Sequence, residues 1–296
     1  MNKVLITGGS GLLGTRITEI LLEKGIEVAH LSTRKSYKRK GVGVFYWDPS
    51  MQVMDAKAFN GVTSIIHLAG AGVADKRWTK TRKKEILDSR VESSLLLMNF
   101  LNQKDHQVTQ FIGASAIGYY GKQDGILSED KVAGDDFLAS VCKLWEESYI
   151  INDKVIKKLI FRIGIVLAKD GGALPEITKT LPFFVGILGN GKQTYSWIHI
   201  DDLAEMFIFA IENKHISGVY NAVAPKPVTQ AKLAKEIAGV ENTIAITAPK
   251  IGLKLALGEM SDVLFLSQNC SANKILERGF AFKFEDMEDA IRDLMQ

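Results

Sequence analysis

The sequence predicts an α/β fold, a parallel sheet with helices on both faces followed by a smaller, mostly helical C-terminal lobe. Two observations carry this. The run Lys3-Val4-Leu5-Ile6-Thr7 is apolar enough for a buried strand and breaks into glycines at Gly8, Gly11 and Gly14. Leu12, Leu13, Ile17, Ile20 and Leu21 then recur at helical spacing. Strand, glycine turn and helix in that order let backbone approach a pyrophosphate, while the helix N-terminus offers it free N–H groups and a positive dipole end. The second observation is that apolar runs alternate with amphipathic ones through the first half of the chain, the pattern of parallel strands joined by helical crossovers. Together they describe a Rossmann-type dinucleotide-binding unit.

Each element follows from its residues. Gly25 ends the first helix, and Ile26–Ser32 reads as a second strand, Val42–Trp47 as a third and Thr63–Leu68 as a fourth. A polar amphipathic helix spans about Thr79–Asn102. Gln110–Ser115 reads as a fifth strand, Phe137–Ile151 as a helix and Val155–Ile163 as a sixth strand. Ligands of such sheets bind beyond the carboxyl ends of the strands, so Gly8, Thr33, Ala69 and Ser115 should line one crevice. From Ala168 the texture changes, with Gly171-Gly172, Pro175, Pro182, Gly186, Gly189 and Gly191 marking an irregular segment. Asp201 or Asp202 is suited to cap a helix running to Glu212, and Gly218–Ala222 adds an edge strand. Short helices are expected around Ala231–Ala238, Leu253–Leu264 and Ser271–Glu277. The expected division is a dinucleotide-binding domain at 1–167, to which 200–222 return, and a substrate-side lobe made of 168–199 and 223–296.

With 296 residues, 46% of them hydrophobic and 24% charged, the chain can bury a sizeable core. A net charge of +3 is too small to argue for a polyanionic partner. The basic stretches Arg34–Lys40 and Lys76–Lys84 lie beside predicted strand ends, where a phosphate-bearing ligand belongs, so no nucleic-acid partner is expected. Cys142 and Cys270 are the only cysteines and have no metal-type spacing, which fits a reducing compartment and predicts no metal site. The chain enters its first strand at once and holds no charge-free apolar segment of the ~18 residues a membrane helix needs. Neither a signal peptide nor a membrane span is expected, and a cytoplasmic location is.

Three further segments are distinctive. They are His67-Leu68-Ala69-Gly70 followed by Asp75-Lys76-Arg77-Trp78-Thr79, then Ala114-Ser115-Ala116-Ile117-Gly118-Tyr119-Tyr120-Gly121, and Ser196-Trp197-Ile198-His199-Ile200-Asp201-Asp202-Leu203. With Gly171-Gly172-Ala173-Leu174-Pro175 and Leu257-Gly258-Glu259-Met260-Ser261, they resemble the YfcH-type epimerase family. That family is an atypical branch of the extended short-chain dehydrogenases, also labelled as cell-division inhibitors, a label with no physical support in these residues. The resemblance runs from about Lys3 to Leu294.

Twenty residues past Gly14 the chain reads Leu31-Ser32-Thr33-Arg34-Lys35, without the Asp or Glu that binds the ribose of NAD. A carboxylate would repel a 2′-phosphate, whereas Arg34 can clamp one with paired charged hydrogen bonds and Thr33 can donate another. The alternative is that Arg34 only opens a solvated basic loop, since Tyr37, Lys38, Arg39 and Lys40 follow. The expected cofactor is NADP(H). The glycine turn would hold it through Gly8, Gly11, Leu12, Leu13 and Gly14. The resemblance implies further contacts: Leu68, Ala69 and Gly70 under the adenine–ribose side, Glu85 and Arg90 on the following helix, and Ile165 near the nicotinamide. For Glu85 the alternative is an ordinary exposed helix charge.

Catalysis is where the pattern breaks. The resemblance implies a Ser or Thr at the end of the fifth strand and a Tyr-x-x-x-Lys helix, in which the lysine lowers the pKa of the acid/base tyrosine. Aligned on Tyr120-Gly121, Ala116 stands where the hydroxyl belongs, and Ser115 is one residue early. Anchored on Glu146, Leu138 and Cys142 take the tyrosine and lysine positions. Replacement candidates near the crevice are Ser115, Tyr119, Tyr120 and His199. Packing for the tyrosines, a structural role for His199, a core position for Cys142, and a salt bridge or a phosphate contact for Arg162 remain open alternatives. The expected function is an NADP(H)-dependent oxidoreductase or nucleotide-sugar-epimerase-like enzyme on a small polar substrate. The alternative is a non-catalytic NADP(H)-binding regulatory or scaffold protein. Self-association as a homodimer stays open.

Overall fold

Val4, Leu5 and Ile6 are fully buried, as a parallel strand covered on both faces requires. They lie in the central strand of a computed structural model that describes residues 3–103 and 105–296, less the side chains of residues 256 and 257. The strands of the first half are β1 (Lys3–Thr7), β2 (Glu27–Ser32), β3 (Val42–Asp48), β4 (Val53–Met54), β5 (Val62–His67), β6 (Gln110–Ala116), β7 (Ile126–Leu127) and β8 (Lys157–Ile163). The second half adds β9 (Ile165–Ala168), β10 (Gly171–Gly172), β11 (Phe184–Leu188), β12 (Thr194–Tyr195), β13 (Trp197–His199), β14 (Gly218–Ala222), β15 (Val228–Thr229), β16 (Ile244–Ala248) and β17 (Asn269–Cys270). The longer helices are α1 (Leu12–Glu23), α2 (Lys80–Gln103) and α3 (Phe137–Glu147). After them come α4 (Leu174–Ile177), α5 (Ile200–Glu212), α6 (Gln230–Val240), α7 (Lys250–Leu257), α8 (Ser261–Leu264), α9 (Asn273–Leu276) and α10 (Met287–Met295).

Eight strands form the main sheet in the order β14-β8-β6-β5-β1-β2-β3-β4, parallel except for β4. The chain steps outward from β1 through β2 to β3, and β5 then returns on the other side of β1. The connections that leave the carboxyl ends of β1 and β5 therefore run in opposite directions and leave a crevice between them. Side chains alternate across the sheet as the pleat demands. Val4, Ile6, Ile66 and Ile112 pack with Ile17, Leu21, Leu203 and Phe207 of α1 and α5. Leu5, Ile65 and Phe111 pack on the other face with Leu97, Trp145 and Tyr149.

Local signals explain the boundaries. α1 stops because Gly25 adopts φ +71°, which brings Gly25 N–H to the Leu22 carbonyl and Ile26 N–H to the Leu21 carbonyl. Asp136 caps α3 by accepting from Ala139 N–H at 2.9 Å. The expected cap of α5 is corrected. His199 holds that position, its Nδ1 accepting from Asp201 N–H, while Asp202 turns to accept the N–H groups of Lys283 and Phe284. The open edge of β14 is blocked to further pairing, since Val219 carbonyl accepts from Lys274 Nζ and Asn221 N–H donates to Glu129.

The C-terminal region sets short strands among its helices. The segment read as irregular contributes β10, β11, β12 and β13, and three small sheets join β9, β10 and β13, β11 to β16, and β12 to β15. These strands are two to five residues long, too short to show a period in sequence. A third core holds the region together, with Leu167, Trp197, Leu233, Ile237, Met287 and Ile291 buried in it.

Candidate functional site

The three glycines of the first turn do different work. Gly8 takes φ +70°, and a Cβ there would meet the Leu68 carbonyl carbon at 3.0 Å. A Cβ on Gly14 would fall on the Gly8 carbonyl and lie 2.7 Å from Gly9 Cα, so α1 can lie this close to β1 only with glycine at that place. Gly11 differs: its φ of −81° suits any residue, and an added Cβ meets only the Gly8 carbonyl oxygen, at 3.3 Å. Two of the glycines thus serve the protein's own packing. Gly11 is also the N-cap of α1 and supplies no side-chain cap, so the first N–H groups of a 12-residue helix stay available to an anion. Leu13 packs on the core, and the Leu12 side chain reaches toward Gly171.

Below the turn a buried network sets the β5 end. Thr7 Oγ1 accepts from the N–H groups of Leu68 and Ala69, both at 3.1 Å, and lies 2.7 Å from His67 Nδ1. With its lone pairs taken, Thr7 donates its hydrogen to Nδ1. His67 Nε2 then carries the ring proton and gives it to Ser94 Oγ at 3.1 Å. Complete burial lowers the His67 pKa to about 3, so the ring stays neutral. Leu68 and Ala69 are held in place by a hydroxyl and an imidazole far below the surface.

A cleft of about 640 Å³ opens above this floor. Gly8, Thr33, Arg34, Ala69, Gly70 and Glu85 line it, and Thr33, Arg34 and Glu85 are exposed. Gly11, Leu12, Leu13, Gly14, Leu68, Arg90 and Ile165 do not line it. Arg90 lies under Gly70 and donates to the carbonyls of Ala71 and Ile86, both at 2.9 Å, with its guanidinium over the Trp145 ring. Burial lowers its pKa. Ile165 packs against the third core. Glu85 is paired with Arg82 at 2.7 Å. His30, Tyr37, Trp47 and Asp48 line the cleft and were missed in sequence. The same strand-end rule that singled out Thr33 would have found Trp47 and Asp48 at the end of β3. Tyr37 carries no such signal.

The expected crevice partner Ser115 is corrected. It is 2% exposed, and its hydroxyl donates to Glu146 Oε1 at 2.7 Å rather than opening on the cleft. Tyr120 is fully buried; its hydroxyl donates to Asn221 Oδ1 at 2.7 Å and accepts from Arg162 Nη1 at 3.1 Å. Burial raises its pKa, and its hydroxyl is held inside the core, away from the cleft. His199 is 1% exposed, caps α5 and stacks on Phe284 with centroids 3.9 Å apart. Burial lowers its pKa. Tyr119 lies under the Arg162 guanidinium, 3.4 Å from ring centroid to carbon, and faces a separate hollow beside α3. Arg162 forms the salt bridge of the two alternatives, to Glu146.

Leu138 and Cys142 do face the turn after β6. A Cβ on Gly118 would lie 3.5 Å from Leu138 Cβ and 3.7 Å from Cys142 Sγ. Apolar surface therefore stands where an acid/base pair would be, and burial pushes the Cys142 thiol up to about 12. Among the described residues no cluster of His, Cys, Asp and Glu is placed to hold a metal ion, and no helix is long and apolar enough to cross a membrane.

Comparison with known proteins agrees with this geometry. The chain is 32% identical over 313 residues to an epimerase family protein SDR39U1 homolog, chloroplastic, of Arabidopsis thaliana, covering 99% of this chain and 86% of that protein. It is 33% identical over 299 residues to the epimerase family protein YfhF of Bacillus subtilis, covering 99% and 98%. The human epimerase family protein SDR39U1, solved with NADPH, superposes with a TM-score of 0.86 at 26% identity, covering 99% of this chain and 98% of that one. Residues 248–294 match a domain of unknown function, DUF1731. Residues 4–140 and 176–222 match the NAD dependent epimerase/dehydratase family, and the chain belongs to that family as one of its atypical extended short-chain dehydrogenases.

Proposed function

We propose that this chain binds NADP(H) in the cleft beside the glycine turn and uses it as an oxidoreductase or epimerase-like enzyme on a small polar substrate. One observation carries the cofactor: Arg34 stands exposed on the cleft wall at the end of β2, where a ribose-binding carboxylate would otherwise be. The uncapped start of α1 fits a pyrophosphate, and the similar human protein was solved with NADPH. When bound, the nicotinamide supplies or accepts a hydride. The chain's own part is to hold it: Gly11 leaves room at the helix start, Thr7 and His67 fix the strand beneath it, and Arg34 selects the 2′-phosphate. On this reading residues 1–167 with 200–222 form the cofactor side and 168–199 with 223–296 the substrate side. The protein would work in the cytoplasm without nucleic acid.

A second reading, a non-catalytic NADP(H)-binding regulatory or scaffold protein, is favoured by one observation. Leu138 and Cys142 face the turn after β6, and none of Ser115, Tyr119, Tyr120 or His199 lines the cleft. Calorimetric titration tests what the readings share. NADPH should bind at least tenfold tighter than NADH, a difference of roughly 1.4 kcal/mol, and Arg34→Ala should erase most of it. Equal affinities in the unmodified protein would remove the phosphate clamp. A screen for NADPH consumption against carbonyl compounds separates the two readings, since tight binding with no turnover selects the scaffold.

A further inference from the structure

Arg34 is the outermost of three neighbouring side chains that reach from the cleft surface to the glycine turn. Its guanidinium carbon lies 5.3 Å from the centroid of the Tyr37 ring, within cation–π range. The Tyr37 ring runs parallel to the imidazole of His30, with centroids 6.0 Å and planes 7° apart, and its hydroxyl is 3.3 Å from His30 Nδ1. His30 is fully buried and supports the turn itself, because a Cβ on Gly9 would come within 2.5 Å of its ring atoms.

The direction of each hydrogen bond follows from the innermost partner. Thr18 gives its one hydroxyl hydrogen to the Gly14 carbonyl at 2.5 Å, so it accepts from His30 Nε2 at 2.9 Å. His30 Nδ1 is then left as the acceptor, and the Tyr37 hydroxyl donates to it. Tyr37 is thereby pinned in a loop whose neighbours Thr33 to Ser36 are exposed. Held over that ring by a cation–π contact, the guanidinium keeps N–H groups free for a bidentate grip on phosphate. Without the ring, Arg34 is a flexible side chain that must be ordered at the moment of binding.

We propose that Tyr37, anchored on His30, is the positioning residue for 2′-phosphate recognition and gives this cleft its preference for a 2′-phosphorylated adenine dinucleotide. This rests on the NADP(H) reading above. Tyr37 acts through Arg34, so its removal should affect the 2′-phosphate and leave the rest of the dinucleotide alone.

The experiment is calorimetric titration of the full chain with NADPH and NADH, with thermal melting to confirm folding. Tyr37→Leu should weaken NADPH about fivefold to tenfold and leave NADH within about twofold, while Tyr37→Phe, which keeps the ring but loses its anchor on His30, should weaken NADPH by a smaller factor, about twofold to threefold, and leave NADH unchanged. Arg34→Lys, at an exposed position that threatens no packing, should lose most of the preference, because an ammonium keeps the charge but not the two-pronged set of donors. If the unmodified protein prefers NADPH yet Tyr37→Leu keeps the same ratio, or weakens both nucleotides equally, Tyr37 is a packing residue and the proposal fails. An Arg34→Lys variant with undiminished preference overturns it equally, whatever the folding of the leucine variant. A lack of preference in the unmodified protein is a different failure, that of the NADP(H) reading beneath it.

Discussion

Glu146 and Arg162 form a bidentate ion pair beneath the end of β6, with Nε to Oε1 and Nη2 to Oε2 both 2.8 Å and only 10% and 4% of the two side chains exposed. The pair takes up the groups that lay nearest to a catalytic role. Ser115 donates to the carboxylate, Tyr120 accepts from the guanidinium, and Tyr119 packs flat against it. A strand end that would offer a reactive hydroxyl has become a buried polar network.

Such a pair is expensive to break on one side, because the remaining charge stays buried. Glu146→Ala should destabilise the fold by about 3–5 kcal/mol, read from the denaturant midpoint. The double change Glu146→Leu with Arg162→Met should cost clearly less. A double variant as unstable as the single one would show that packing, and not the unpaired charge, sets the loss.

Tyr120→Phe and His199→Ala should lower stability and leave NADPH affinity within about twofold. For Tyr120 the loss is about 1–3 kcal/mol, since Asn221 and Arg162 are left short of a partner in the interior. Removal of a general acid would instead lower turnover ~10²–10⁴-fold at unchanged melting temperature. That second pattern in either variant would return the residue to catalysis.

The glycine turn separates two kinds of position. Gly11→Val should keep the fold, with an unchanged circular dichroism spectrum, and abolish NADPH binding by filling the space at the start of α1. Gly14→Val should unfold the domain, because its side chain would occupy the Gly8 carbonyl. A folded Gly11→Val protein that binds NADPH normally would reduce the turn to a structural feature.

Buried histidines make stability depend on pH: His30, His67 and, in the same direction, His199. In the folded protein burial lowers His67 from 6.5 to about 3, and burial with the Arg39 charge lowers His30 from 6.5 to about 4. The unfolded chain takes up these protons near pH 6.5 while the folded one does not, so the unfolded state binds more protons below that pH. Stability is therefore complete above pH ~6.5 and falls toward pH ~4 by about 1.4 kcal/mol per pH unit for each ring. Denaturant midpoints at pH 7, 6 and 5 should decline in step, and His30→Gln should make the decline shallower. A flat profile between pH 7 and 5 contradicts neutral, buried rings.

By itself the sequence determined the alternating sheet, the glycine turn at Gly8, Gly11 and Gly14, the helix stop at Gly25, and the strand-end residues Thr33, Arg34 and Ala69. All of these rest on local signals: period, backbone freedom, and the rule that binding occurs at carboxyl ends. The α10 helix was missed although Met287, Ala290, Ile291 and Leu294 recur at helical spacing, and the short strands of the same region were missed with it. Only the tertiary structure decided what each polar side chain touches. Ser115 and Glu146 are 31 residues apart, Tyr120 and Asn221 are 101 apart, and no periodicity announces that their atoms meet. His199 looks like an acid in sequence and is a helix cap in space, and Tyr37 looks like a loop residue and stands on a buried imidazole. A side chain's chemistry is set by its desolvation and its partners, and both come from chain segments that the local sequence does not contain.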